Sequence, residues 1–386
     1  MIVFPETYER INQYYRALEG KAEVVPILAQ INEHIVRLYG GDMREYYTNV
    51  EKFIEMNLAV FQYYKIDIPG FYYDIYNIEA EALGQRIDWE SNRMPNIDRN
   101  HQLIRTPSDL DHLRPPDFRK AGRMPFVLDI MHRCYDMGLP VRIRYCSPFS
   151  LAANVRGIEP LLMDIMTNPE FAHRLLAFLT EEVLVPWIQF QREATGQSNG
   201  AAIGADAAAS PPITNVNILE EFVMPYVKRM DEMIGNVSSI GYWGYSYLFH
   251  HPEKFRKMLE LMASVSPRML LCMDPDVALT GPEPYAGFAR SSKMFLMLGL
   301  DTMLLQEGPV EKIVERCREY VLTGAKDGKL IIFLNDISMY TPPEHVHTAI
   351  EAIRHFGKYP LSELPQESFE IPVRESFESF YKEYAN

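Results

Sequence analysis

Polar residues that directly follow short apolar runs are the groups in this chain best placed to do chemistry. Met269-Leu270-Leu271-Cys272-Met273 runs into Asp274-Pro275-Asp276, Thr302-Met303-Leu304-Leu305 into Gln306-Glu307-Gly308-Pro309, and Leu330-Ile331-Ile332-Phe333-Leu334 into Asn335-Asp336. Such runs suit parallel strands buried on both faces, whose carboxyl ends carry the site in α/β enzymes. Further back, Ala201-Ala202-Ile203-Gly204-Ala205 is small and apolar until Asp206, and Ile240-Gly241 leads to Tyr242-Trp243. A carboxyl or phenol in that position can move a proton, an amide can orient a reacting group, and aromatic faces can hold a flat apolar one. Asp336, Asn335, Tyr242, Asp206 and Glu307 are the candidate catalytic residues. His34, Tyr73, Arg144, Trp243, Asp274 and Tyr340 are the candidate substrate-binding residues. Arg142 and Arg144 alternate within an apolar run, so one of them should reach a buried carboxylate or an acidic substrate. The plainer reading of any one carboxylate is a helix cap or an Arg partner.

The elements that would position these residues repeat in order. After Pro309, Val310, Ile313, Val314, Cys317 and Val321 form a helical stripe closed by Gly324, and Thr341 with Glu344 forms a capping-box pattern before Val346, Ala349, Ile350 and Ile353. Thr7 to Leu18 reads as a leading helix, Val24 to Leu28 as a first strand, Ile66-Asp67-Ile68 as a second, and Pro169 to Ala194 as one long amphipathic helix. Gln85 to Lys120 lacks periodicity and forms an excursion between the second and third strands. About eight strand-helix units in one chain, with no evident linker, match an α/β (β/α)8 TIM barrel. That barrel has an N-terminal helical extension and a long insertion, and spans 1–386 as one domain. A doubly wound open sheet is the alternative.

A chain of 386 residues, 47% hydrophobic and 12% aromatic, can fill a large core. Its 52 acidic against 38 basic residues give a formal charge of -14, which disfavours a nucleic-acid partner. No run is long enough to span a membrane and Met1 to Arg10 has no secretory pattern, so a cytoplasmic location is expected. Cys134, Cys146, Cys272 and Cys317 lack paired short spacing, which argues against a disulfide framework. Gly-rich phosphate loops and a Gly-x-Ser-x-Gly elbow are absent, and His250-His251 and His345/His347 have the wrong spacing for a helical metal pair.

Cys146-Ser147-Pro148-Phe149-Ser150-Leu151-Ala152-Ala153, Met166-Thr167-Asn168-Pro169-Glu170, Gly204-Ala205-Asp206 with Ser210-Pro211, Glu307-Gly308-Pro309-Val310-Glu311 and Thr341-Pro342-Pro343-Glu344-His345-Val346 stand in one order. Over about Val24 to Gly357 that order resembles the uroporphyrinogen decarboxylase superfamily, and within it the corrinoid-dependent methyltransferases. The resemblance implies a (β/α)8 barrel with its site at the carboxyl rim. The decarboxylase branch carries an Arg-Gln-Ala-Gly-Arg pattern where this chain has Gln30-Ile31-Asn32-Glu33-His34, so porphyrinogen decarboxylation is not implied. Thiol-methylating relatives bind zinc through a His-x-Cys pair and a later Cys. Here those places read Tyr242-Trp243-Gly244 and Leu334-Asn335-Asp336, so the family-type zinc site is not expected. What the resemblance implies is a demethylating methyltransferase of the O-demethylase type. It would take a methyl group from a small donor, an aryl methyl ether foremost, to the Co(I) corrinoid (cobalamin) of a partner protein. A catalytically silent member that binds or regulates the corrinoid protein is the second reading, and a homodimer is compatible with either.

Overall fold

The computed structural model describes residues 3–90, 93–371 and 373–384. Its strands are, in chain order, β1 (Ile27–Ala29), β2 (Ile87–Asp88), β3 (Asn96–Ile97), β4 (Ile143–Cys146), β5 (Ala202–Ala205), β6 (Val237–Ile240), β7 (Met269–Met273), β8 (Phe295–Leu300) and β9 (Leu330–Leu334). Two compact units divide them. The first comprises 1–46, 51–72 and 268–386; the second comprises 47–50 and 73–267.

In the first unit a parallel sheet runs β1-β9-β8-β7. All five residues of β9 are buried, as an apolar run covered on both faces requires. Gly299 lets β8 approach β7, since a Cβ there would lie 2.8 Å from Met273 Cγ. Helices Val310–Gly324 and Pro343–Phe356 follow β8 and β9 as the periodicity predicts. The helix Pro5–Leu18 confirms the expected leading helix.

Three expectations change here. Thr302 to Leu305 is a helix and not a strand: the Asp301 side chain accepts the Met303 N–H at 2.7 Å and starts it, while the strand lies one segment earlier in Phe295–Leu300. Glu307 consequently closes a helix instead of following a strand. The capping box also fails, because Pro342 takes the cap position and the Thr341 hydroxyl is buried without a hydrogen-bond partner. Finally, Ile66-Asp67-Ile68 forms no strand. Asp67 N–H donates to the Ile27 carbonyl at 3.3 Å, but Ile27 N–H donates in return to the Asp67 carboxylate at 2.7 Å, so a side chain replaces the ladder. Among the described residues, seven strands lie in the two parallel sheets where eight were expected.

The second unit holds the parallel sheet β4-β5-β6 and the antiparallel pair β2-β3, which lies within the excursion together with the short helix Asp109–His112. The helix expected over Pro169 to Ala194 is continuous but contains a π-turn, Leu179–Leu184, just before Pro186. A second π-turn, Leu219–Val223, precedes Pro225 in the same way. A proline interrupts the regular hydrogen-bond ladder, and a wider turn accommodates it without breaking the helix. Of the two arginines that the charge pattern singles out, Arg144 is buried, and a further buried guanidinium, Arg123, grips Asp74 and Glu81, each at 2.6 Å. Arg142 precedes β4 and is partly exposed.

Gly244 tests the loop after β6. Its φ is +80°, and a Cβ would sit 1.9 Å from the Pro211 carbonyl oxygen. Gly244→Ala should lower stability by about 3 kcal/mol, read as a reduced denaturant midpoint. An unchanged midpoint would show that this loop tolerates a different path.

Candidate active site

The ladder of the second unit brings three strand ends side by side. Cys146 pairs with Ala205 and Ala205 with Ile240, so Ser147, Asp206 and Gly241 are the next residues to emerge. Two further backbone bonds extend the register: Ser147 N–H to the Ala205 carbonyl and Asp206 N–H to the Ile240 carbonyl, each at 3.0 Å. Gly204 leaves room behind them, since a Cβ there would lie 2.3 Å from Ser147 Oγ and 2.5 Å from the Tyr145 ring. Ser147 Oγ then meets Ser239 Oγ at 2.6 Å, and the Tyr242 hydroxyl donates to Ser239 Oγ at 3.1 Å.

Asp206 is the chemically distinctive member of this group. It is fully buried, and its Oδ1 accepts both Ser150 N–H at 3.0 Å and Ser150 Oγ–H at 2.8 Å. Oδ2 has no hydrogen-bond partner. Burial disfavours the charged form and pushes the carboxyl up to about 7, against smaller opposing effects from Ser150 and the nearby Tyr242. The group therefore holds a proton for part of the time at neutral pH, which suits an acid or a base. Burial of Tyr242, and after it the neighbouring Asp206 carboxylate, hold that phenol well above its usual range.

The structure thus brings Asp206 and Tyr242 together, and Trp243 follows, half-buried, with its backbone N–H donating to Ser210 Oγ at 3.2 Å. Tyr73 and Arg144 lie elsewhere. Arg144 is buried and alternates with Tyr145 on β4, while the Tyr73 hydroxyl donates to the Arg144 carbonyl at 3.2 Å. Sequence reasoning gave Ser147 and Ser150 no role within their motif, and passed over Ser239 and Glu79. Glu79 is fully buried, accepts Cys146 N–H at 3.3 Å, and is pushed up to about 8 by burial. A glutamate inside the small-residue run Ile78-Glu79-Ala80 was the available signal.

In the first unit, several candidates are already engaged. His34 is buried with Nδ1 against the Ser338 carbonyl at 3.2 Å and Nε2 against the Tyr64 hydroxyl at 2.6 Å, and burial lowers it to about 4, so it is neutral. Asp274 accepts from the Tyr320 hydroxyl, from Arg316 at 3.1 Å and from Asp301 N–H at 3.0 Å, with burial raising it to about 6. Both are tied to protein partners, as structural groups are. Asn335 and Asp336 do follow β9, where their carbonyls accept from Thr302 Oγ1 at 2.6 and 3.2 Å. Asp336 is exposed with φ +48°, and the crowding of its carboxyl, with Glu33 nearby, holds it above the usual range. Glu307 and Tyr340 are exposed. Among the described residues no three His, Cys, Asp or Glu side chains are grouped to hold a metal ion, and no helix is long and apolar enough to cross a membrane.

The raised carboxyl has a thermodynamic signature. The folded state binds a proton more tightly than the unfolded state, in which an aspartate titrates near 4. The contribution of Asp206 to stability is therefore greatest below about pH 4 and declines as pH rises to about 7. Asp206→Asn should remove up to about 4 kcal/mol of that decline, read by denaturant unfolding of both proteins from pH 4 to 8. Parallel stability curves would show an Asp206 that is ionised throughout.

Comparison with known proteins agrees with this architecture. A curated relative, the methylated-thiol–coenzyme M methyltransferase of Methanosarcina mazei, is 23% identical over 344 residues, covering 87% of this chain and 86% of the relative. A solved methyltransferase from Methanosarcina mazei superposes with a TM-score of 0.69 at 17% identity, covering 90% of this chain and 98% of that one. A B12-independent methionine synthase from Shewanella sp. W3-18-1, solved with selenomethionine, gives 0.50 at 11% identity over 80% of this chain and 87% of its own. The family model for uroporphyrinogen decarboxylase (URO-D) matches residues 10–356, nearly the whole length, and the chain belongs to that family.

Proposed function

We propose that this chain is a methyltransferase that moves a methyl group from a small methylated donor to the corrinoid of a partner protein, with an aryl methyl ether as the donor. The methyltransferase relatives support the reaction class. Asp206 is the observation that carries the choice of donor. An ether is a poor methyl donor because its oxygen leaves as an anion, and a proton delivered to that oxygen removes the difficulty. Asp206 holds such a proton in a buried site at a strand end, with Oδ2 free to give it. As the C–O bond breaks, its electron pair stays on oxygen, the methyl group passes to the acceptor, and the Oδ2 proton neutralises the oxygen. Tyr242, beside Asp206, orients the same oxygen, and half-buried Trp243 offers an aromatic face to the ring.

The corrinoid is a substrate presented by the partner, and supplies the nucleophilic acceptor. Asn335, Asp336, Glu307 and Tyr340 are proposed as groups that meet the partner protein. Cysteine and histidine are missing from Tyr242-Trp243-Gly244 and Leu334-Asn335-Asp336, which supports an oxygen over a sulfur leaving group. A silent, purely binding member of the family would have no use for a buried proton at a strand end.

The test is methylation of Co(I) cobalamin, followed by its absorption spectrum, with methoxyarenes, methylated thiols and methylamines as donors. Methoxyarenes should be the best donors, with a rate that falls as pH rises through about 7, where Asp206 loses its proton. Asp206→Asn should slow the ether reaction by about a hundredfold and slow an activated donor less. Turnover of methylated thiols alone would overturn the ether assignment, and equal slowing of both donors would overturn the acid role.

A further inference from the structure

The two oxygens of Asp206 have unequal surroundings, and one residue creates the difference. Ser150 supplies both donors to Oδ1, through its backbone N–H at 3.0 Å and its hydroxyl at 2.8 Å. The hydroxyl is itself pinned, because Ser150 Oγ accepts the Ala208 N–H at 3.0 Å. With its lone pair turned to Ala208, its hydrogen points to Asp206. Ser150 is 2% exposed and Asp206 is fully buried, so water does not compete for these bonds. An oxygen that already accepts two hydrogen bonds is the poorer place for a proton, whereas Oδ2 accepts none.

We propose that Ser150 is a positioning residue that reserves Oδ2 of Asp206 as the proton-bearing oxygen and aims it at the reacting group. This rests on the acid role given to Asp206 above. The other titratable groups facing Asp206 are Tyr145 and Cys146 on β4 and Tyr242 after β6, each held well above its usual range and hence uncharged at neutral pH. No cation contributes to the titration of Asp206. The hydrogen bonds from Ser150 are the larger polar support of the ionised form, ahead of the contribution from the Tyr242 hydroxyl. A serine that only braced the start of the helix Pro148–Arg156 would alter folding without moving the pH at which the reaction loses its acid.

The experiment is an infrared titration of the protonated carboxyl of Asp206, assigned by the band lost in Asp206→Asn, in the wild type, Ser150→Ala and Ser150→Thr. Ser150→Ala should raise the titration midpoint by about one unit, a tenfold change in acid dissociation, and Ser150→Thr, which keeps the hydroxyl, should restore it. The alkaline limb of kcat should shift by the same amount, with kcat reduced and KM for the donor little changed. If Ser150→Ala does not fold, Ser150→Cys, a weaker donor, should give an intermediate shift. A midpoint equal in all variants, or Thr behaving as Ala does, overturns the proposal. The titration is read without turnover. A shifted midpoint in a protein that demethylates no ether therefore leaves the role of Ser150 standing and removes only the donor assignment.

Discussion

The parallel ladder is the constraint on which the rest depends. Its strands can be this apolar only if both faces are covered, and the first polar residue beyond a covered strand emerges where water is already excluded. In the second unit that residue is Asp206, whose backbone is fixed by the Ile240 carbonyl before its side chain has any choice of partner. With no cation among its neighbours, the carboxyl is left to keep a proton. Asp274, at the corresponding place after β7, meets the same constraint differently: Arg316 and Tyr320, on the helix Val310–Gly324 that comes after β8, satisfy it. The same residue type in the same kind of place is thus given a cationic partner in one case and none in the other, by what the neighbouring elements carry.

Much of the framework was legible because it is local. β7 and β9 stand where continuous apolar runs place them, and the helices after β8 and β9 keep their predicted stripes. Asp206 and Tyr242 were legible for the same reason, as polar groups ending short apolar segments. β8 was misplaced because Met294 to Leu305 is apolar nearly throughout, and only the Asp301 cap divides strand from helix. The missing second strand has a long-range cause: Asp67 is held to Ile27 across 40 positions, a pairing that no window of sequence reveals. The proline pair 342–343 likewise moved a helix start and left Thr341 without its expected task.

The part of the site that went unread is the part made by contacts between strands. Ser150 lies 56 positions from Asp206, and Ser147 lies 92 from Ser239. Their types are unremarkable, and only the register of β4, β5 and β6 makes them neighbours. Arg144 shows the converse. Its charge within an apolar strand drew attention, yet alternation on β4 turns it to the face opposite Tyr145 and Ser147.

The buried acids also change what the whole chain exchanges with its solvent. The formal charge of -14 counts all 52 carboxylic side chains as ionised. Glu79 and Asp206, pushed up to about 8 and about 7, retain protons at neutral pH once they are enclosed. The folded protein is therefore less acidic than its formula, and folding at pH 7 draws protons from the buffer. The heat of folding then includes the heat of ionising that buffer, so calorimetric enthalpies in phosphate and in an amine buffer differ in proportion to the protons taken up.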